Sequence, residues 1–260
     1  MKMNSSYPLA LLAATSTLLA TTVALHASDT DDRIESAAKK SYVFKTYLKD
    51  DAIKTDSKNG VVTLTGTVSE SSHKSLAENT VESLPGVTSV DNKLTIKGES
   101  PAEHSDAWIS TKVKSTLLFH RNVSSSGTDV FVKDGVVSLR GEAANEAQKE
   151  LTGEYAQDVE GVKSVKNELT IAKTPAQKAQ TMEEKIDDAS ITAQVKSSLF
   201  SHRSTSSIKT KVQTIDGVVT LSGIAKNDAE KSLVTKLVND INGVSKVINN
   251  MTIAPPVAAK

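Results

Sequence analysis

Three stretches decide the fold: Asn59-Gly-Val-Val-Thr-Leu-Thr-Gly66, Asp134-Gly-Val-Val-Ser-Leu-Arg-Gly141 and Asp216-Gly-Val-Val-Thr-Leu-Ser-Gly223. Each starts with Asn-Gly or Asp-Gly, the dipeptides that a two-residue type I′ turn requires, because both central residues need positive φ. Each then alternates. In the first, Val62, Leu64 and Val68 share one face, and Val61, Thr63, Thr65 and Thr67 the other. Gly66 falls on the inward face, which predicts a close backbone approach or a bulge.

The copies hold fixed distances. Gly60, Gly135 and Gly217 are offset by 75 and then 82 residues. The same offsets relate Gly66, Gly141 and Gly223; Gly86, Gly161 and Gly243; and Asn92, Asn167 and Asn249. Four landmarks at shared offsets make this a threefold internal repeat.

Working outward from the hairpin, each copy opens with a helix. Its apolar stripe is Ile109, Val113 and Leu117 in the second copy and Ile191, Val195 and Leu199 in the third. In the first copy Phe44 and Leu48 fit the stripe, but Lys40 precedes them, so that face is weaker. A second helix follows the hairpin. It carries Leu76, Val81 and Leu84, then Leu151, Ala156 and Val159, then Leu233, Val238 and Ile241. Asn145 with Gln148, and Asn227 with Glu230, have capping-box spacing. Gly86, Gly161 and Gly243 stand where a helix leaves in the left-handed conformation. A last strand alternates Val90, Leu94 and Ile96, with Val165, Leu169 and Ile171 and with Val247, Met251 and Ile253 as counterparts. The predicted class is α+β: three tandem α-β-β-α-β sandwich domains, each a three-stranded sheet with two helices on one face. The expected domains are 32–97, 106–172 and 187–254. Polar linkers join them, containing Pro101 and Pro175, and a tail from Ala254 reads as disordered.

Composition agrees with small domains. Hydrophobic residues make up 38% and aromatic residues 3% of 260 residues, so each core is small and aliphatic. Lys plus Arg equal Asp plus Glu at 31 each, which gives no overall pull toward nucleic acid. The chain has no cysteine, which rules out disulfides, thiolate chemistry and a lipid-bearing N-terminal cysteine. At the start, Lys2, an Ala/Thr-diluted apolar run from about Leu9 to Ala24, and Leu25 and Ala27 before Ser28 read as a cleavable signal peptide over 1–27. An uncleaved anchor is the competing reading, since the run is nearly long enough to span a bilayer. No later segment is expected to cross a membrane.

The helix ending Val113-Lys-Ser-Thr-Leu117 or Val195-Lys-Ser-Ser-Leu199, the Asp-Gly-Val-Val hairpin and the Gly161–Ile171 close together resemble the BON domain family. The resemblance covers nearly all of the expected mature chain, although the first copy departs in its opening helix and the family usually carries two modules. It implies a periplasmic or envelope-associated protein that binds phospholipid surfaces. An osmotically induced two-domain member of the family resembles a periplasmic chaperone, so a chaperone holding unfolded envelope proteins is the alternative, with a non-catalytic scaffold as a third reading. The family brings no catalytic signature.

The residues agree that no enzyme is expected. His73, His104, His120 and His202 lack the spacing of a helical zinc site, and HExxH, GxSxG and a phosphate-binding loop are missing. His120 and His202 read as polar helix ends favoured by the dipole, and Asp50-Asp51 and Asp187-Asp188 as solvated charges. No metal or cofactor is expected. The candidate lipid-contact residues are Trp108, Leu118, Phe119, Arg121, Phe200 and Arg203: apolar side chains off the core stripes next to arginines, suited to a bilayer interface. The competing reading is that the following loop folds over them and they complete a core. Net charge is +3 from Pro175 to the end, −2 from Pro101 to Thr174 and 0 from Asp32 to Ser100, so the third copy is the electrostatic favourite for an anionic membrane.

Overall fold

A computed structural model describes residues 21–98, 101–123, 125, 127–172, 185–205 and 210–254. The expected tail and most of the expected leader and second linker lie outside them. The elements run α1 (Thr21–Lys40), α2 (Tyr42–Thr46), β1 (Ala52–Lys58), β2 (Val61–Val68), α3 (Ser71–Glu82) and β3 (Ser89–Ile96) in the first unit. The second has α4 (Asp106–Phe119), β4 (Thr128–Lys133), β5 (Val136–Ala143), α5 (Glu146–Gln157), β6 (Ser164–Asn167) and β7 (Thr170–Ile171). The third has α6 (Asp188–Ser201), β8 (Thr210–Ile215), β9 (Val218–Ala225), α7 (Asp228–Asn239), β10 (Lys246–Asn249) and β11 (Thr252–Ile253).

Each unit is a small sheet whose central strand is the second of the hairpin. β2 pairs antiparallel with β1 and parallel with β3. In the other units the closing strand is interrupted, and both pieces pair parallel with β5 or β9. The parallel pairing follows from the helix crossing between the strands. The turns take the expected form, with Asn59, Asp134 and Asp216 at φ +53°, +53° and +49° and glycine after each. Gly66 is required by a close approach: a Cβ there would lie 1.8 Å from the Ala52 carbonyl oxygen.

The conserved spacing has mechanical causes. Asp31 takes the Asn59 and Gly60 N–H groups (2.8 and 3.0 Å), Asp106 those of Asp134 and Gly135 (2.8 Å each), and Asp188 those of Asp216 and Gly217 (2.8 and 2.9 Å). A carboxylate of each opening helix, midway along α1 and at the first residue of α4 and α6, thus clamps the hairpin turn, at the same offsets of 75 and 82. These bonds hold the Asp31 and Asp106 carboxyls below the usual range. Asn92, Asn167 and Asn249 each donate to a carbonyl of the second helix (Lys74, Lys149, Lys231) and accept the N–H two residues on.

The first unit departs from expectation. Its core face is Ile34 and Ala38, which stand 75 residues before Ile109 and Val113, rather than a stripe through Phe44 and Leu48. The helix stops at Lys40 because Ser41 turns extended and accepts the Phe44 N–H, starting α2. Leu48 is buried after that break and is no counterpart of Leu117.

The units are docked. The second keeps its own core around Ile109, Val113, Leu139 and Leu169. The cores of the first and third join through α3 and α6. Helix α6 is buried nearly all round: Ile191, Val195 and Leu199 face its own sheet, and Ser190 and Gln194 meet the first unit.

Candidate functional site

The opening helices α4 and α6 fix the site, and their ends fix each other. Arg121 N–H donates to the Asp240 carbonyl and Asn242 N–H to the Phe119 carbonyl, both at 3.0 Å. Eighty-two residues on or back, Arg203 N–H donates to the Asp158 carbonyl (3.0 Å) and Glu160 N–H to the Ser201 carbonyl (3.2 Å). The second and third units therefore meet through a two-fold-like exchange, the pattern of an isologous dimer held within one chain.

Side chains repeat the exchange unequally. Arg121 Nη2 donates to the Ile241 and Val244 carbonyls at 2.6 and 2.7 Å. Arg203 Nη2 donates to the Val159 and Val162 carbonyls at 3.3 and 3.1 Å. Both arginines satisfy carbonyls after the end of a partner helix, where positive charge is favoured. His120 is buried, stacked on Tyr155 with ring centroids 3.9 Å apart, and placed between Asp240 (3.2 Å) and Ser198 (3.0 Å). Burial alone would raise the Asp240 carboxyl, but hydrogen bonds from His120, Tyr155 and Asn122 hold it below its ordinary value. His202 lies below its usual value, chiefly because burial disfavours the charged ring, against an opposing pull from Asp158.

Beside this joint, α3, α4 and α6 enclose a cleft of about 440 Å³. α4 contributes Trp108, Lys112, Leu118 and Phe119; α6 contributes Lys196 and Phe200; α3 contributes Ser75 and Asn79. Lys112 is the part of the lining that carries a mostly buried cation. The residue is 9% exposed, and its Nζ lies 4.3 Å from the Phe200 ring centroid and 5.3 Å from that of Trp108. Such placement over ring faces is attractive for a cation. Burial still pushes the ammonium below its ordinary value, with Glu160, Glu103 and Glu70 acting against that from a distance.

The structure thus sorts the six expected residues. Trp108, Leu118, Phe119 and Phe200 come together at the cleft. Leu118 and Phe200 keep 39% and 57% of their surface exposed. Phe119 is not an exposed tip. It is buried in the joined core of the first and third units, its ring edge-on to Tyr47 at 5.4 Å. Arg121 and Arg203 are not rim cations, because their guanidinium groups are committed to carbonyls of the neighbouring unit. The cation at the aromatic cluster is Lys112, which the stripe pattern passed over. Its one sequence signal is the four-residue step from Trp108, which places both on one face of α4. His120 and His202 end helices as expected, but they belong to the joint. Asp187 and Asp188 are not solvated charges: Asp187 caps α6 and takes the Tyr42 N–H (2.7 Å), and Asp188 clamps its hairpin. Asp51 likewise accepts the Ser69 N–H (2.8 Å) and meets His73 at 2.5 Å.

The model of the BON domain family matches residues 30–98, 105–173 and 187–255. Osmotically-inducible protein Y of Escherichia coli (strain K12) is 32% identical over 146 residues, 56% of this chain and 71% of that protein. Outer membrane lipoprotein DolP of Haemophilus influenzae is 31% identical over 135 residues, 51% of this chain and 68% of that protein.

Proposed function

The chain belongs to the BON domain family, with three copies of the domain, and on that premise we propose that it is a non-enzymatic periplasmic envelope protein that associates with anionic phospholipid surfaces. The printed names of its relatives, one osmotically inducible and one an outer membrane lipoprotein, support an envelope and stress setting. In this reading residues 1–27 are a signal peptide and the working units are 32–97, 106–172 and 187–254.

One observation carries the lipid assignment. Phe200 and Leu118 both line the cleft with exposed apolar surface, the Lys112 ammonium lies 4.3 Å from the Phe200 ring centroid, and the lining includes no carboxylate. An apolar rim around a cation suits the headgroup level of an anionic bilayer, where the rings dip and the charge meets phosphate. Among the described residues no helix is long and apolar enough to cross a membrane. The test is co-sedimentation with vesicles containing phosphatidylglycerol over a salt series. Pelleting should fall with salt. The paired change Leu118→Ser and Phe200→Ser should weaken it several-fold without lowering thermal stability. Unaltered pelleting by that variant overturns the site.

A chaperone reading has its own observation. On the outer face of the third sheet Ile215, Ile224 and Ile248 are exposed at 60%, 49% and 39%, apolar surface of the kind that unfolded segments pack against. Suppressed aggregation of a model client, with no vesicle pelleting, would favour it.

A further inference from the structure

We propose that the cleft between α3, α4 and α6 is a binding site for a single-chain anionic amphiphile, its anionic head against Lys112 and its chain along Trp108, Leu118 and Phe200. This goes beyond membrane docking, because it needs a cleft interior and a monomeric ligand, not a surface. Three observations converge on that chemistry.

The first is the lysine. Lys112 is nine-tenths buried, and its Nζ has no hydrogen-bond or ion-pair partner among the described residues, only the two aromatic rings. Burial of most of this side chain costs its ammonium part of its solvation, and a ligand anion offsets that cost. The second is the sign of the lining. It has no aspartate or glutamate, and its other lysine, Lys196, is already engaged by Glu82 at 2.7 Å. The charge vacancy therefore sits at Lys112. The third is the shape. The cleft volume falls within the roughly 300–1,000 Å³ of small-molecule sites, and aromatic and aliphatic side chains flank the lysine.

Trp108 is the only tryptophan in the chain, so its emission reports this site alone. The full-length protein is titrated with dodecyl phosphate, dodecyl maltoside and dodecyltrimethylammonium, each below its critical micelle concentration, and with inorganic phosphate. Dodecyl phosphate should give a saturable change, at least about tenfold tighter than the neutral and cationic amphiphiles, with no response to phosphate alone. Lys112→Met should weaken dodecyl phosphate at least about tenfold and leave dodecyl maltoside within about twofold. Should that variant lose its fold by circular dichroism, Phe200→Ser at an exposed position decides instead: chain affinity falls about fivefold and the preference for the anion stays. No saturable response to dodecyl phosphate, equal affinity for all three amphiphiles, or an unchanged Lys112→Met titration overturns the proposal. Binding of the monomer without vesicle pelleting leaves it standing and overturns the membrane reading; pelleting without monomer binding does the reverse.

Discussion

The third unit is held on two sides by different means. Against the second unit it exchanges backbone hydrogen bonds and arginine clamps in a two-fold-like pattern between equivalent residues. Against the first it packs helix on helix, with Asp187 and Ser190 taking the Tyr42 and Val43 N–H groups. The cause lies in a few positions. His120-Arg121 and His202-Arg203 recur between the second and third units, but 75 residues before His120-Arg121 the first unit has Lys45-Thr46. A repeated sequence therefore sets identical units yet does not force identical joints, because each joint depends on the side chains that end the helices.

The widest break in that comparison comes from the residue linking both joints. Phe119 belongs to the second unit but fills the joined core of the other two. Phe119→Ala should cost about 3–5 kcal/mol in urea unfolding, and a loss under about 1 kcal/mol would show that it is no plug. Next are the arginines. Arg121, with the shorter bonds, should cost about 2 kcal/mol when changed to alanine, and Arg203 about 1 kcal/mol. Equal losses would make the joint truly symmetric.

A smaller effect separates the joints by pH. Ser204 N–H donates to His202 Nδ1 at 3.1 Å, so that nitrogen is unprotonated and the ring neutral. Burial lowers the folded value, so between it and about 6.5 the unfolded chain binds more protons. Stability is complete above that window and falls as pH drops into it. Urea midpoints at pH 7.5 and 5.5 should differ, and His202→Gln should narrow the gap; a variant with the parent's full pH response would remove His202 from the account. The smallest effect belongs to the other joint. Lys196→Met removes the Lys196–Glu82 ion pair, a solvent-facing contact that should change stability by less than about 0.5 kcal/mol. A larger loss would mean that this joint also relies on charge.

Several features were legible without coordinates. The type I′ turns, the Asn145 and Asn227 caps and the glycine exits involve residues within a few positions of each other, so spacing alone specifies their hydrogen bonds. The Asp31, Asp106 and Asp188 clamps were also within reach, since they hold the same offsets as the glycines, but Asp106 and Asp188 stand at helix starts, where an acidic residue has a plainer reading as a dipole partner. The first unit's helix was misplaced because Phe44 and Leu48 imitate a stripe that Ser41 interrupts.

The site was only half readable. Trp108, Leu118 and Phe200 stood out as apolar residues off their stripes, and they do converge. Nothing near Phe119, Arg121 or Arg203 in sequence says that another unit's core or carbonyls wait for them, and nothing near Lys112 says that Phe200 of another unit meets it. The sequence by itself determined three copies of one α+β unit, because turns, caps and apolar alternation act over a few residues. Only the tertiary structure decided which apolar residues are covered and which cation stands without an anion, because burial depends on surfaces brought together from units more than seventy residues apart.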